Sequence, residues 1–335
     1  MYVPEGCIDT MQPSPPTFEI LAVRAQNRFD GGMTTTTSRR VRLVRLLMQI
    51  GARLPLRLLQ AIGGAIAVIM RLVNSREYRV TLRNIALCFP DLDASAQTAY
   101  VRASMAHTAM GLCELPRIWA ARPQRALAQI VEVRGIELLQ AAMAQQRGVI
   151  VAAPHLGQWE LLNLYLCTQG PMALLYRQPQ HAVWEPLLLG GRGGLGAVQV
   201  RADAAGVREL FRCLKQKMIV GILPDQRPKG GEGAFAPFFG LPCKSMTLLS
   251  RLAHKTGAPV VFGFAERLPH GAGFRLHFLP APEDIDSADN ELAVAALHRG
   301  LEACVRIAPM QYQWSYKRFA IQPDGSGQPM YPGCR

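Results

Sequence analysis

Hydrophobic and polar positions follow two regimes along this chain. Between residues 39 and 83, apolar residues are interleaved with ten arginines and a single acid, Glu77. From residue 130 onward, short apolar runs alternate with stretches of helical period. Within the first regime, residues 58–70 carry no charge and are closed off by Arg57 and Arg71. Thirteen helical residues cover about 20 Å, short of the ~30 Å hydrocarbon core of a bilayer. The pattern predicts a helix lying on or partly in an anionic membrane face, its arginines snorkelling. A competing reading packs this basic amphipathic helix onto the following domain.

The second regime predicts the body of the fold. A helix over 95–119 carries Met105, Ala109, Leu112 and Trp119 on one stripe, with His107 and Glu114 read as solvated or capping groups. A strand at 131–134 and a helix at 136–146 follow. Residues 149–153 are apolar and β-branched between Gly148 and Pro154, which predicts a buried strand, and a helix starts at 160. Further strands are expected at 172–176, 218–223, 259–265 and 274–279, and helices at 204–216, 246–256 and 291–307. Residues 190–196 read as a flexible loop, 235–240 as an apolar loop, and 312–319 as the closing segment. Strands alternating with helices give an α/β fold: a single mixed, largely parallel sheet flanked by helices, with an N-terminal membrane-associated basic apolar helix.

Residues 1–37 lack any sustained period and read as a disordered extension. Met33 precedes the change of character and is the expected true start. Residues 38–85 form the basic membrane-associated segment, 86–320 the catalytic domain and 321–335 a disordered tail.

Charge narrows the partners. The net charge of +13 calls for an anionic one. Aromatic residues are only 7% and do not alternate with basic ones, so nucleic acid is disfavoured against anionic lipid or an acidic protein. The eight cysteines form no C-x-x-C pair, which leaves metal and redox motifs unsupported and places the chain on the reducing, cytoplasmic side. The N-terminus lacks the order of a signal peptide. The Gly-rich residues 190–196 have neither a G-x-G-x-x-G frame nor a Gly-Lys-Ser/Thr ending, so nucleotide binding is rejected, although Arg192 remains a candidate for an anionic head group.

The candidate chemistry gathers at strand ends. His155 follows the 149–153 strand, where sites on α/β sheets lie. Glu160 is five residues on, ~140° away in a continuous helix, so the two meet only if a turn intervenes, and Gly157 supplies one. His155 then acts as general base with Glu160 on its other ring nitrogen. No Ser or Cys nucleophile occupies the stretch, which favours activation of a substrate hydroxyl. The same two residues also occur at this spacing with no chemistry attached. Tyr176-Arg177 and Asp225-Gln226 end two other strands, and parallel strands bring all three ends to one edge. Arg177 is a candidate for a phosphate or an oxyanion. Asp225 and Gln226 either position a sugar hydroxyl or close a turn after Pro224.

At these residues the chain resembles the bacterial lipid A biosynthesis acyltransferases, the late or secondary acyltransferases of the lysophospholipid acyltransferase superfamily. The similarity spans about residues 78–319. It includes Arg83-Asn84 with Cys88-Phe89-Pro90, Val133-Arg134-Gly135, and the block from Gly148 to Glu160, which fits an H-x-x-x-x-E motif. It continues through Tyr176-Arg177, Pro224-Asp225-Gln226, Phe238-Phe239-Gly240, Gly257-Ala258-Pro259 and the run from Gln311 to Phe319. Gln158 departs from the family, where Asn is common. The resemblance implies transfer of an acyl chain from acyl carrier protein to a hydroxyl of a lipid A precursor, at the cytoplasmic face of the inner membrane. It implies His155 and Glu160 as the catalytic pair, and Tyr176, Arg177, Arg192, Asp225 and Gln226 as binding residues. No metal or cofactor is called for beyond the thioester donor, on acyl carrier protein or coenzyme A. Rival readings are acylation of a lysophospholipid, a water-using hydrolase and a non-catalytic basic membrane-binding protein. The serine hydrolase version lacks its G-x-S-x-G elbow.

Overall fold

The computed structural model describes residues 39–179, 185–192, 196–228, 232–323 and 330–334. The expectations for residues 1–37, including a start at Met33, lie outside the described residues.

Four helices lead in: α1 (Arg39–Gly51), α2 (Leu56–Leu72), α3 (Arg76–Cys88) and α4 (Ala94–Trp119). Ser75 and Asp93 cap α3 and α4 by accepting from the backbone N–H groups of Tyr78 and Ala96. Helix α2 lies tightly on α4: a Cβ on Gly63 would come within 2.7 Å of the Met110 backbone. The other side of α2 leaves Leu58, Ile62, Ile66 and Ile69 exposed, and α1 likewise leaves Leu43, Leu46, Leu47 and Ile50 exposed. Each set repeats at three or four residues, so each forms one apolar stripe. Among the described residues no single helix is long and apolar enough to cross a membrane; α2 and α3 pass that test only together, across an 86° bend.

The body contains α5 (Pro123–Leu127), β1 (Ile130–Arg134), α6 (Ile136–Ala144), β2 (Val149–Ala152), α7 (Trp159–Gln169), β3 (Met172–Tyr176) and α8 (Glu185–Arg192). It continues with β4 (Val198–Arg201), α9 (Ala204–Lys215), β5 (Ile219–Ile222), β6 (Ala234–Phe238), β7 (Leu241–Ser245), α10 (Leu248–Thr256), β8 (Val260–Arg267), β9 (Phe274–Pro280) and α11 (Asn290–Ile307). Seven strands form one sheet in the order β1-β9-β8-β2-β5-β3-β4. All its pairs are parallel except β8 with β9. The mixed, largely parallel sheet flanked by helices is therefore the expected one. Strands β2 and β5 are buried at every residue, as their unbroken apolar runs require of strands covered on both faces.

Three local expectations change. Residues 235–240 are not a loop but most of a hairpin, β6–β7, turned on Phe239 and Gly240 with φ of 49° and 76°. Two positive φ values are what a two-residue hairpin turn of matching twist demands. Residues 190–192 are helical, as the end of α8. Residues 330–334, assigned from sequence to a disordered tail, pack back on the body: the buried Tyr331 donates to Asn84 Oδ1 (2.7 Å) and accepts from the Phe319 N–H (2.9 Å). Asn84 in turn donates to the carbonyls of Trp314 and Tyr316. The Arg83-Asn84 motif is thus a clamp between α3 and the closing segment, and Phe89 joins the same junction by packing its ring against Tyr100, Phe239 and Trp314.

Candidate active site

Strands β2, β5 and β3 are parallel neighbours, so the residues that follow them share one edge of the sheet. That edge carries His155, Asp225-Gln226 and Tyr176-Arg177, the juxtaposition the strand pattern predicts.

The segment between β2 and α7 is held by two isolated β-bridges. Leu156 bridges to Tyr312 and Gly157 to Ala265. The Gly157 N–H donates to the Gln311 carbonyl (3.1 Å), the Gln158 N–H to the Ala265 carbonyl (2.8 Å) and the Gln313 N–H to the His155 carbonyl (2.9 Å). Gly157 has φ 62°, and a Cβ there would lie 1.9 Å from the Ala265 carbonyl oxygen. Only glycine fits, and its turn sets the direction of His155.

Asp225, rather than Glu160, holds the imidazole. Its carboxylate accepts from the His155 backbone N–H (2.8 Å) through Oδ2 and meets His155 Nδ1 (2.6 Å) through Oδ1. Asp225 is buried. Burial works against its charge, but the facing imidazole, the two hydrogen bonds from His155 and the Arg318 guanidinium outweigh that and hold its carboxyl below the ordinary aspartate range. Tyr312 is buried beside Asp225, and burial and the neighbouring carboxylate push its phenol well above the ordinary value. In the neutral imidazole the Nδ1–H donates to the Asp225 carboxylate, which leaves the lone pair on Nε2. Nε2 faces the Gln226 side-chain amide at 3.3 Å, and the ring lies edge-on to Trp159 at 5.1 Å between centroids.

Glu160 is buried and turned to other partners. It accepts from the Trp119 indole N–H (3.2 Å) and forms an ion pair with Arg192, whose Nε lies 3.0 and 3.1 Å from the two carboxylate oxygens. Arg192 is therefore neutralised within the protein. Tyr176 is also occupied: its hydroxyl donates to Glu185 (2.8 Å), which further accepts from Arg201 and Gln178. The first cluster ties α8 to α7 and α4, and the second ties it to β3 and β4. Arg177 stands exposed at the end of β3. The Gly157 and Gln158 N–H groups are engaged by backbone carbonyls, so they are not the donors for an oxyanion.

His107 and Glu114 are not surface groups either. Glu114 receives both Nε (2.5 Å) and Nη2 (2.6 Å) of the buried Arg267, together with Gln60 (2.8 Å) and Gln158 (2.9 Å). Burial and Arg267 lower the His107 imidazole to about 4. Gln158, the departure from the usual Asn, reaches Glu114 and the Gly111 carbonyl from the loop that carries His155. An interior carboxylate on a mostly apolar helix was the only signal in the sequence for this network. For Asp225 it was an Asp directly after a buried strand and a proline.

Among proteins of known role, the chain is 27% identical to the lipid A biosynthesis lauroyltransferase of Escherichia coli, over 82% of this chain and 89% of that one. It is 26% identical to the lipid A biosynthesis palmitoleoyltransferase of the same species, over 83% and 90%. A lipid A biosynthesis acyltransferase of Haemophilus influenzae is 23% identical over 77% and 82%. A profile of the bacterial lipid A biosynthesis acyltransferases matches residues 32–320, and the chain is therefore a member of that family and an acyltransferase.

Proposed function

We propose that this chain moves a fatty acyl group from an acyl carrier protein thioester to a hydroxyl of a lipid A precursor, at the cytoplasmic face of the inner membrane. His155 is the general base and Asp225 the residue that orients it. The observation that carries this reading is the 2.6 Å contact of Asp225 with Nδ1, which leaves Nε2, beside the Gln226 amide, as the basic nitrogen. Nε2 takes the proton of the acceptor hydroxyl as its oxygen attacks the thioester carbon. Asp225 stabilises the imidazolium that forms. When the carbon–sulfur bond breaks, the imidazolium returns the proton to the leaving thiolate. The Gln226 amide and the Arg177 guanidinium are the donors available to the tetrahedral oxyanion. Glu160 acts at one remove, fixing Arg192 and Trp119 as walls of the site.

The surroundings support a lipid substrate and an acidic donor. The net charge of +13 favours an acidic carrier and anionic lipid. The apolar stripes of α1 and α2, edged by arginines, suit insertion into the headgroup region of a membrane.

The test is to incubate the purified chain with dodecanoyl and palmitoleoyl carrier thioesters and a lipid A precursor, then weigh the products. The proposal requires a precursor heavier by one acyl group. Acylation of an added lysophospholipid instead, or release of free fatty acid alone, overturns it.

A further inference from the structure

Glu114 and Arg267 form the deepest ion pair among the described residues, with side chains 1% and 2% exposed. A pair sunk this far is often no more stable than apolar residues of like volume, because both charges give up their hydration. Its use then lies in what it holds. Each Glu114 oxygen takes two donors: Oε1 accepts from Arg267 Nε and Gln60, and Oε2 from Arg267 Nη2 and Gln158. Four donors fill the acceptor sites of a carboxylate, so the group is fixed in direction as well as in place.

The bonds that leave this pair close a circuit around the catalytic loop. From Glu114 on α4 they run through the Arg267 side chain to β8. The Gln311 amide grips the Arg267 main chain, accepting from its N–H (2.8 Å) and donating to its carbonyl (2.9 Å). The Gln311 carbonyl takes the Gly157 N–H (3.1 Å). Gln158, the next residue and itself buried, returns to Glu114 through its side-chain amide (2.9 Å). Gly157 and Gln158 are therefore held from α4, from β8 and from the segment after α11.

The circuit surrounds the weakest point of the loop. Glycine has the most permissive backbone of any residue, and Gly157 makes the turn just past His155. Shifting that turn breaks at least one bond of the circuit and leaves a buried polar group unpaired. On the other side, the His155 N–H is held by Asp225. Asp225 selects the tautomer of the imidazole, while the circuit sets where Nε2 stands.

We infer that Glu114, Arg267, Gln311 and Gln158 are positioning residues for His155, and that their circuit fixes the Gly157 turn and so places Nε2 against the acceptor hydroxyl. This inference rests on the role of base proposed above for His155. Gln60 supplies a control. It donates to the same carboxylate from α2 but lies outside the circuit. Removing either the Gln60 or the Gln158 amide takes one hydrogen bond from Glu114.

The experiment compares Gln158→Met, Gln311→Met and Gln60→Met in steady-state transfer from a dodecanoyl carrier thioester to a lipid A precursor, with Tm for each. Gln158→Met and Gln60→Met should lower Tm by similar amounts. Only Gln158→Met should also lower kcat, by about tenfold or more with KM within about twofold, since a reacting group misplaced by ~1 Å costs on the order of 100-fold. Gln311→Met opens the same circuit at a half-buried position and should lower kcat in the same way, so the inference stays testable if Gln158→Met does not fold. A kcat loss of less than about fivefold in a folded circuit variant, or an equal loss in Gln60→Met, overturns the inference and makes the network purely structural. If wild type moves no acyl chain, the proposed acyltransfer itself fails, which is a different result.

Discussion

Asp225→Asn isolates the imidazole's orienting group with the least change of shape. In the native site, Asp225 accepts from the His155 backbone N–H and pairs with Nδ1 at 2.6 Å. An asparagine keeps one oxygen and gains an N–H₂ group. If that oxygen stays on the backbone N–H, the new donor faces Nδ1 and forces the proton to Nε2, where it blocks base catalysis. The substitution also removes the negative charge opposite the imidazolium. Two unit charges about 4 Å apart interact by ~4 kcal/mol at an effective dielectric of 20, or about three decades in rate at ~1.4 kcal/mol per decade. Adding the tautomer effect places the expected loss in kcat between ~10³ and ~10⁴, the range seen when an aspartate of this kind is amidated in a catalytic triad. KM for either substrate should change little, because Asp225 is buried behind the ring. The assay is steady-state transfer from an acyl carrier thioester, with circular dichroism and Tm to show that the variant folds. A folded Asp225→Asn protein with kcat within tenfold of wild type would refute the assignment.

Three further outcomes follow from the geometry. Glu160→Gln and Arg192→Met should each lower activity and Tm, and the double variant should be no worse than either alone, because breaking a buried pair from one side costs ~3–5 kcal/mol whereas removing both partners does not; additive losses in the double-mutant cycle would show that Glu160 acts separately from Arg192. Stability should fall below pH ~6.5: burial holds the folded-state pKa of His298 at about 3 and that of His107 at about 4, so the unfolded chain takes up protons first as pH drops. In urea titrations between pH 4.5 and 6, His298→Gln should make the slope shallower by ~1.4 kcal/mol per pH unit, one proton's worth, and an unchanged slope would contradict the burial argument. Replacing the exposed Ile62 and Ile66 by Asp should weaken binding to anionic vesicles by at least about tenfold, since a fully buried isoleucine contributes ~1.5–3 kcal/mol, with little change in Tm; tight binding by the double variant would remove α2 from the membrane face.

Much of this fold could be read from the residues, because buried parallel strands announce themselves. The β2 and β5 runs are apolar at every position, and their bounds were displaced by a residue at most. Period alone cannot distinguish a short exposed edge strand from a loop, and β4, with its alternating Val198, Gln199, Val200 and Arg201, was missed for that reason. The β6–β7 hairpin was missed because its turn is Phe-Gly rather than Asn-Gly or Asp-Gly. The site was legible by place more than by partner. Strand order put His155 and Asp225 on one edge, but the sequence gives no distance between them, and chain proximity favoured Glu160. The 70-residue separation of His155 and Asp225 is closed only by the β2–β5 pairing, which spacing rules cannot see. The Glu114–Arg267 pair was hidden in the same way, its halves lying on α4 and β8.

The most direct test of the account is the single-turnover rate of acyl transfer by His155→Ala. The imidazole is partly exposed and packs against Trp159, and its removal leaves the α1 and α2 stripes untouched. The account predicts a protein that binds anionic vesicles and carrier thioester as wild type does, yet moves no measurable acyl chain to the lipid acceptor. Transfer at the wild-type rate would mean that Nε2 is not the base, and that the chemistry assigned to this sheet edge is wrong.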